Sequence, residues 1–335
     1  MKLLRALPLL LFWLSLPGSG ALAQTDAPGR ATGNQAPGLR HARLYGIASS
    51  RTLNHVNHDD ARAALKVWFD AVGQEKGFVL DSKVDVSASV SEIRERLRSH
   101  SVDLIAMDIT DYLELESSHL VVPVLTHARG RQGGALYSYV LLVNPSSSAT
   151  TIAGLRGKNI LVAVRGAGKT GTAWLDVLLG TEKLGRAASF FASIKMVDKP
   201  QACILPLFFG AVDACVVDEV NLNLAKEMNP QLGRLRLLAR SHPMIESVIA
   251  MPVEPHPYQK ELLDAMLSLH QDPRGRQLLM VFKTDRLLRI QPGDFESARE
   301  LWRDYSRLPA ARPYRTAGSG PAAESKPAGR GQERN

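Results

Sequence analysis

The residues best suited to chemistry lie where the apolar run Ile160-Leu161-Val162-Ala163-Val164 enters Arg165-Gly166-Ala167-Gly168-Lys169-Thr170-Gly171-Thr172. A strand that enters a glycine-rich turn and opens a helix leaves backbone N–H groups free and presents the positive end of the helix dipole. Lys169 adds a cation and Thr170 a hydroxyl, so Gly168, Lys169 and Thr170 form a candidate anion cradle. The alternative is a tight turn carrying a solvated lysine. The segment also imitates a nucleotide-hydrolysis loop, but counting G-x-x-x-x-G-K-[ST] back from Gly168 puts the first glycine position on Ala163, inside the strand. Nucleotide hydrolysis is not expected.

Two other groups invite a chemical reading. His55-x-x-His58-Asp59-Asp60 has metal-like composition, yet no third ligand in range is evident and Asp59 is better used as a helix cap, so no metal site is assigned. Cys203 and Cys215 are the only cysteines; they can pair in an oxidising compartment, or be two separately buried small residues, and spacing alone does not choose. No nucleophile elbow, zinc-protease motif or Ser/His/Asp spacing occurs, so neither an enzyme activity nor a cofactor is expected.

Met1–Arg5 is short and basic, Ala6–Leu16 is almost wholly apolar, and Ala21-Leu22-Ala23 has the small-x-small form of a signal-peptidase site. Residues 1–23 therefore read as a cleaved secretory signal, and the mature chain is expected in the periplasm. A retained anchor needs about 20 uninterrupted apolar residues, and Pro17, Gly18 and Gly20 break the run. Residues 24–41 and 309–335 are rich in Gly, Pro and polar types and read as flexible ends, the second of them basic. The ends carry most of the formal charge of +8 and leave +2 for residues 42–308, which gives no electrostatic case for nucleic-acid binding.

Residues 42–308 must position the cradle. Leu44–Ala48, Phe78–Val86 and Asp103–Met107 read as strands. Between them lie a helix with Ala61, Ala64, Leu65, Trp68, Phe69 and Val72 on one face, capped by Asp59 or Asp60 and ended by Gly73, and a second opened by Ser89-x-x-Glu92. This is a parallel βαβαβ unit. Tyr137–Val143 leaves it, and a second series follows: Ile160–Val164, a helix through Trp174–Leu179, Ser193–Val197, a helix at Pro200–Phe209, and Ala214–Val217. Leu235–Leu238 and Ser247–Pro252 are further strands, and helices at 258–270, 275–282 and 294–306 close the chain. The expectation is an α/β protein with two lobes, 42–125 with 250–308 and 137–243, hinged about Pro123–Tyr137 and Ser241–Pro252 over a ligand cleft.

Several short motifs occur in a telling order: Val102-Asp103-Leu104-Ile105-Ala106-Met107 with Tyr112 behind it, Tyr137-x-Tyr139-Val140-Leu141-Leu142-Val143, Ile152-x-x-Leu155-x-Gly157-Lys158, Gly210-x-Val212-Asp213-Ala214 and Val217-Asp218. In this series the chain resembles the phosphate/phosphite/phosphonate-type periplasmic binding proteins of ABC transporters. The resemblance implies a type II periplasmic-binding-protein fold, closure around a small anion, and delivery to a membrane permease. It also implies ligand positions at Tyr112, Tyr137, Thr170 and Asp218. Lys169 falls where the family has a hydroxyl, and Lys199 falls beside the place where it often has a histidine. The departures leave room for a second reading with the same fold: a periplasmic sensing subunit for a membrane histidine kinase or cyclase. A monomer is expected in either case.

Overall fold

The computed structural model describes residues 40–49, 52, 57–75, 78–129, 134–163, 169–254 and 257–310. The signal segment 1–23, nearly all of the linker 24–41, most of the basic end 309–335, His55 and the glycines Gly166 and Gly168 lie outside the described residues.

The first half begins with β1 (Arg40–Ser49), α1 (His58–Glu75), β2 (Phe78–Ala88), α2 (Val90–Arg98), β3 (Leu104–Asp108), α3 (Ile109–Glu116) and β4 (Val121–Ala128). α1 buries Ala61, Trp68 and Phe69 as the 3.6-residue period requires. Its cap is Asn57 rather than Asp59 or Asp60: the Asn57 side chain accepts from the Asp59 and Asp60 N–H groups at 2.9 and 3.2 Å. Asp59 is instead paired with Arg62 at 2.6 Å, and the helix passes Gly73 to end at Glu75. Ser89 caps α2 as its motif predicts, accepting from the Glu92 N–H at 3.2 Å, while the Glu92 carboxylate turns to Arg96 at 3.1 Å.

The second half contains β5 (Tyr139–Val143), β6 (Asn159–Ala163), α4 (Thr170–Thr181), α5 (Ala187–Phe190), β7 (Ser193–Val197), α6 (Gln201–Phe208), β8 (Ala214–Asp218), α7 (Glu219–Met228) and β9 (Arg236–Arg240). The chain then returns through β10 (Ser247–Pro252), α8 (Gln259–Ser268), α9 (Pro273–Val281), β11 (Arg286–Arg289) and α10 (Glu296–Arg307). β5 and β8 are buried at every position, as expected of central strands covered on both faces.

Two sheets result, ordered β11-β4-β10-β3-β1-β2 and β7-β6-β8-β5-β9. In each, three parallel strands are followed by one antiparallel strand that arrives from a crossing: β10 beside β3 in the first, β5 beside β8 in the second. Residues alternate between two cores across the second sheet. Leu141, Val143, Ile160, Val162 and Val216 point to one, and Val140, Leu142, Leu161, Cys215 and Val217 to the other. Pro123 and Pro252, expected in the hinge, sit inside β4 and β10 of the first sheet, where Ala250 pairs with Pro123 and Pro252 with Val121. The described crossing residues are therefore 129, 134–138 and 241–246.

Two features tie the halves together. Residues of both sheets belong to one continuous core that runs through Met244, Ile245, Phe295, Ala298 and Leu301. α10 also touches both halves. Phe295, just before it, stacks on Tyr112 of α3 at 4.8 Å, and Arg299 pairs with Glu116. At its far end Tyr305 lies beneath the Arg186 guanidinium at 4.6 Å, and Leu308 fills the space above Gly180 of α4.

Candidate functional site

Three of the expected site positions share one edge of the second sheet. β6 ends at Ala163 opposite Val197, the end of β7, so the turns leading to Lys169 and to Lys199 emerge side by side. β8, on the other flank of β6, ends at Asp218. Lys169 is exposed at the N-cap of α4; its carbonyl accepts from the Ala173 N–H at 2.8 Å and the Thr172 hydroxyl at 2.8 Å. Thr170 behind it is buried. Lys199 is exposed before α6, and among the described residues no carboxylate pairs with either lysine. Gly168 lies outside the described residues.

Asp218 is buried and caps α7: its Oδ1 accepts from the Asn221 N–H at 2.9 Å and its Oδ2 from the Asn221 Nδ2 at 2.5 Å. Asp108 does the same work in the first half, capping α3 through Oδ1, which accepts from the Thr110 N–H at 2.8 Å and hydroxyl at 2.6 Å. The correspondence extends to the crossings. Asp108 pairs with Ser247 at the start of β10, and Asp218 with Tyr139 at the start of β5. The next helical N–H in each case, Ile109 and Glu219, donates to the carbonyl just before that strand, Glu246 at 2.9 Å and Ser138 at 2.8 Å. The same cap-and-pairing pattern thus occurs once in each half.

Between the two aspartates runs a narrow ribbon in which Tyr137 and Met244 exchange N–H···O bonds of 2.8 and 2.9 Å. The Tyr137 hydroxyl donates to the His127 carbonyl at 3.1 Å, and burial together with the nearby Glu246, Asp218 and Asp285 carboxylates raises its pKa. Tyr139 is placed more centrally: its ring lies against Gly171, where a Cβ would approach within 2.9 Å, and its hydroxyl donates to Glu246. Burial first, then Glu246, raises the Tyr139 hydroxyl well above the usual phenol range. Tyr139 lies in the Tyr137-x-Tyr139 run, whereas nothing in the local sequence marks Glu246, and only the fold brings the two together. Asp108 is pushed up to about 6 by burial, with Asp111 and Glu246 adding to the shift.

Tyr112 sits elsewhere. It is buried on α3, stacked on Phe295, with its hydroxyl donating to Glu116 at 3.2 Å, so its polar atom is used by the α3–α10 contact. Burial of the ring and the Glu116 charge raise its pKa, whereas the Arg299 hydrogen bond holds Glu116 below the usual carboxylate range. Cys203, in the first turn of α6, is bonded to Cys215 of β8, with Cα atoms 5.7 Å apart and both residues fully buried. The bond pins α6 to the sheet whose edge carries Lys199 and Asp218.

The arrangement offers cations and a helix N-terminus on one side and hydrogen-bond acceptors on the floor. It suits a small polar ligand bearing negative oxygens and at least one donor. Among the described residues no group of His, Cys, Asp and Glu has the spacing to hold a metal ion, and no helix is long and apolar enough to cross a membrane.

Comparison with known proteins agrees with this architecture. XAC2383 from Xanthomonas citri, bound to chloride ion, superposes with a TM-score of 0.58 at 17% identity, over 79% of this chain and 98% of that one. A binding protein component of an ABC phosphonate transporter from Pseudomonas aeruginosa gives 0.51 at 11% identity, over 79% and 87%. PhnD1 from Prochlorococcus marinus in complex with methylphosphonate gives 0.50 at 15% identity, over 79% and 99%. At these identities the likeness is one of fold, the two-lobed type II periplasmic-binding-protein fold with its hinged cleft. No curated protein matches the chain. The model of a family described as the periplasmic substrate-binding protein of phosphonate ABC transporters matches residues 53–295, most of the chain. The family is a substrate-binding transport component, not an enzyme, and it is periplasmic. The chain belongs to the phosphonate-type periplasmic substrate-binding proteins of ABC transporters.

Proposed function

We propose that this protein captures a small phosphorus oxyanion, of the phosphate or phosphonate kind, between its two halves and delivers it to an ABC permease. The observation that supports the reading is the parallel register of β6 with β7 and with β8, whose carboxyl ends precede the α4 N-terminus with Lys169 and Thr170, precede Lys199, and carry Asp218. Lys169, Thr170 and the α4 N–H groups bind the anionic oxygens, with Lys199 as the second cation. Asp218 and Glu246 face the protonated oxygen or amine end, and Tyr137 and Tyr139 supply the walls near the ribbon. Export through the signal in residues 1–23 brings the chain to the periplasm. The halves, 42–125 with 250–308 and 137–243, close about residues 134–138 and 241–246, and α10 limits the swing because it is anchored on both.

The test is a thermal-shift and calorimetric panel of phosphate, phosphite, methylphosphonate, an aminoalkylphosphonate and sulfate on the mature protein. A ligand that binds only the folded state raises the melting temperature by mass action. A saturable rise with one of the phosphorus compounds is expected, and no response to any of them overturns the ligand class.

A further inference from the structure

A second, chemically different cavity lies in the first half, away from the β6–β7–β8 edge. It occupies about 90 Å³ between the first sheet and helices α1, α8 and α9. Its floor is Gly46 and Ala48 of β1 with Ala106 of β3, and Ala48 and Ala106 are register partners on adjacent strands. Because i and i+2 share a face of a strand, these three small residues leave one contiguous area of sheet without side-chain volume. A Cβ built on Gly46 would have its nearest neighbour, Val84 Cγ2, at 3.6 Å, an ordinary contact, so a methyl group fits there without strain. Trp68 and Phe69 of α1 form one wall, and Leu278, Leu279 and Phe282 another.

Three polar side chains reach the cavity, Thr52, His127 and Thr284, and each has a hydrogen-bond partner elsewhere. The Thr284 hydroxyl donates to the Ala128 carbonyl at 3.0 Å, the Thr52 and Ser49 hydroxyls are bonded at 2.9 Å, and His127 Nδ1 is bonded to the Ser247 hydroxyl at 2.6 Å. Protein interiors leave few voids larger than a water molecule, and a cavity walled by apolar groups stays dry and admits hydrocarbon guests. We propose that this cavity is a binding site for a small uncharged apolar molecule, or for the short alkyl portion of one, of about three to four carbons, smaller than the benzene that a cavity of roughly 150 Å³ admits. The inference does not rest on the anion-binding reading, since the two sites share no lining residue.

The experiment is a thermal-shift titration of the mature protein with cyclopropane and with isobutane, repeated on Ala106→Leu, with methylphosphonate titrated in parallel. The expected result is a saturable rise of about 3 °C at a guest concentration near ten times Kd, lost in Ala106→Leu, with the methylphosphonate response the same in both proteins. No rise with either guest, or an equal rise in the variant, overturns the proposal. Should Ala106→Leu not fold, Gly46→Ala, which narrows the same floor without a close contact, decides on the same readout: a weakened response supports the site and an unchanged one overturns it.

Discussion

The hydroxyl of Tyr139 donates to the carboxylate of Glu246, joining the first residue of β5 to the crossing that returns the chain to the first sheet. Since the Tyr139 ring also rests against Gly171 in the first turn of α4, one side chain touches the returning crossing and the helix that Lys169 caps. Closure of the halves must either keep this bond or replace it. Tyr139→Phe is expected to cost about 1–2 kcal/mol in urea unfolding, because it removes a hydrogen bond made to a charged, half-buried group. A cost below about 0.3 kcal/mol would show that water or another donor replaces it.

The raised Asp108 carboxyl makes stability depend on pH in a defined direction. Its ordinary value of 3.8 rises to about 6 in the fold. The folded state therefore holds this proton more tightly than the unfolded chain does. The stabilisation is fully present below about pH 4 and is lost as pH climbs through 6. Asn at this position keeps an oxygen for the Thr110 N–H and does not ionise. The stability difference between Asp108→Asn and the parent should swing toward the variant by more than 1 kcal/mol between pH 4 and pH 7. Urea midpoints for the two proteins at each pH provide the check, and a flat difference refutes the assignment.

Reduction of the Cys203–Cys215 bond, or the double Ser variant, should lower stability by roughly 3 kcal/mol for a loop of this span. The effect belongs to the second half, where the bond joins α6 to β8. Denaturant melts with and without reductant measure it.

Arg186 covers a fully buried carboxylate. Its Nη1 lies 3.1 Å from Asp176 Oδ2, and its Nε donates to the Pro309 carbonyl at 2.9 Å. Arg186→Ala removes one partner of a buried pair and is expected to cost about 3 kcal/mol. It should also loosen the far end of α10, which amide exchange in residues 303–308 would register as faster exchange than in the parent.

Lys169→Ala tests the anion edge directly. Loss of a charge-assisted hydrogen bond weakens binding of whichever phosphorus oxyanion the screen identifies by about tenfold to a hundredfold, with little change in the melting temperature of the free protein. Lys199→Ala should act in the same direction. If calorimetry shows less than a twofold change, Lys199 stands outside the ligand's reach.

Local pattern made much of the fold legible. Ser193–Val197 and Ser247–Pro252 are strands at the bounds that apolar alternation marks, and the Ser89 cap is where its motif places it. The order of the βαβ units made a second parallel series legible, and parallel strands with right-handed crossovers present their carboxyl ends on one side of the sheet. β4 and β11 were not legible: Pro123 interrupts the first, and the second is the four-residue Arg286–Arg289. Tyr112 has the composition of a ligand wall, but its neighbours are chosen by α10, far along the chain.

What the amino-acid sequence determined by itself is therefore local: which faces of each element are apolar, the bounds of several strands, and the Ser89 start of α2. Tertiary structure alone decided the Tyr139–Glu246 bond, the elevated Asp108, the bridging position of α10 and the cavity above Ala48 and Ala106. The physical reason is separation along the chain. Periodicity reports that a side chain is buried, whereas its partner is set by elements 107 residues away for Tyr139 and Glu246 and 183 for Glu116 and Arg299, and only packing of the whole chain brings them within hydrogen-bond reach.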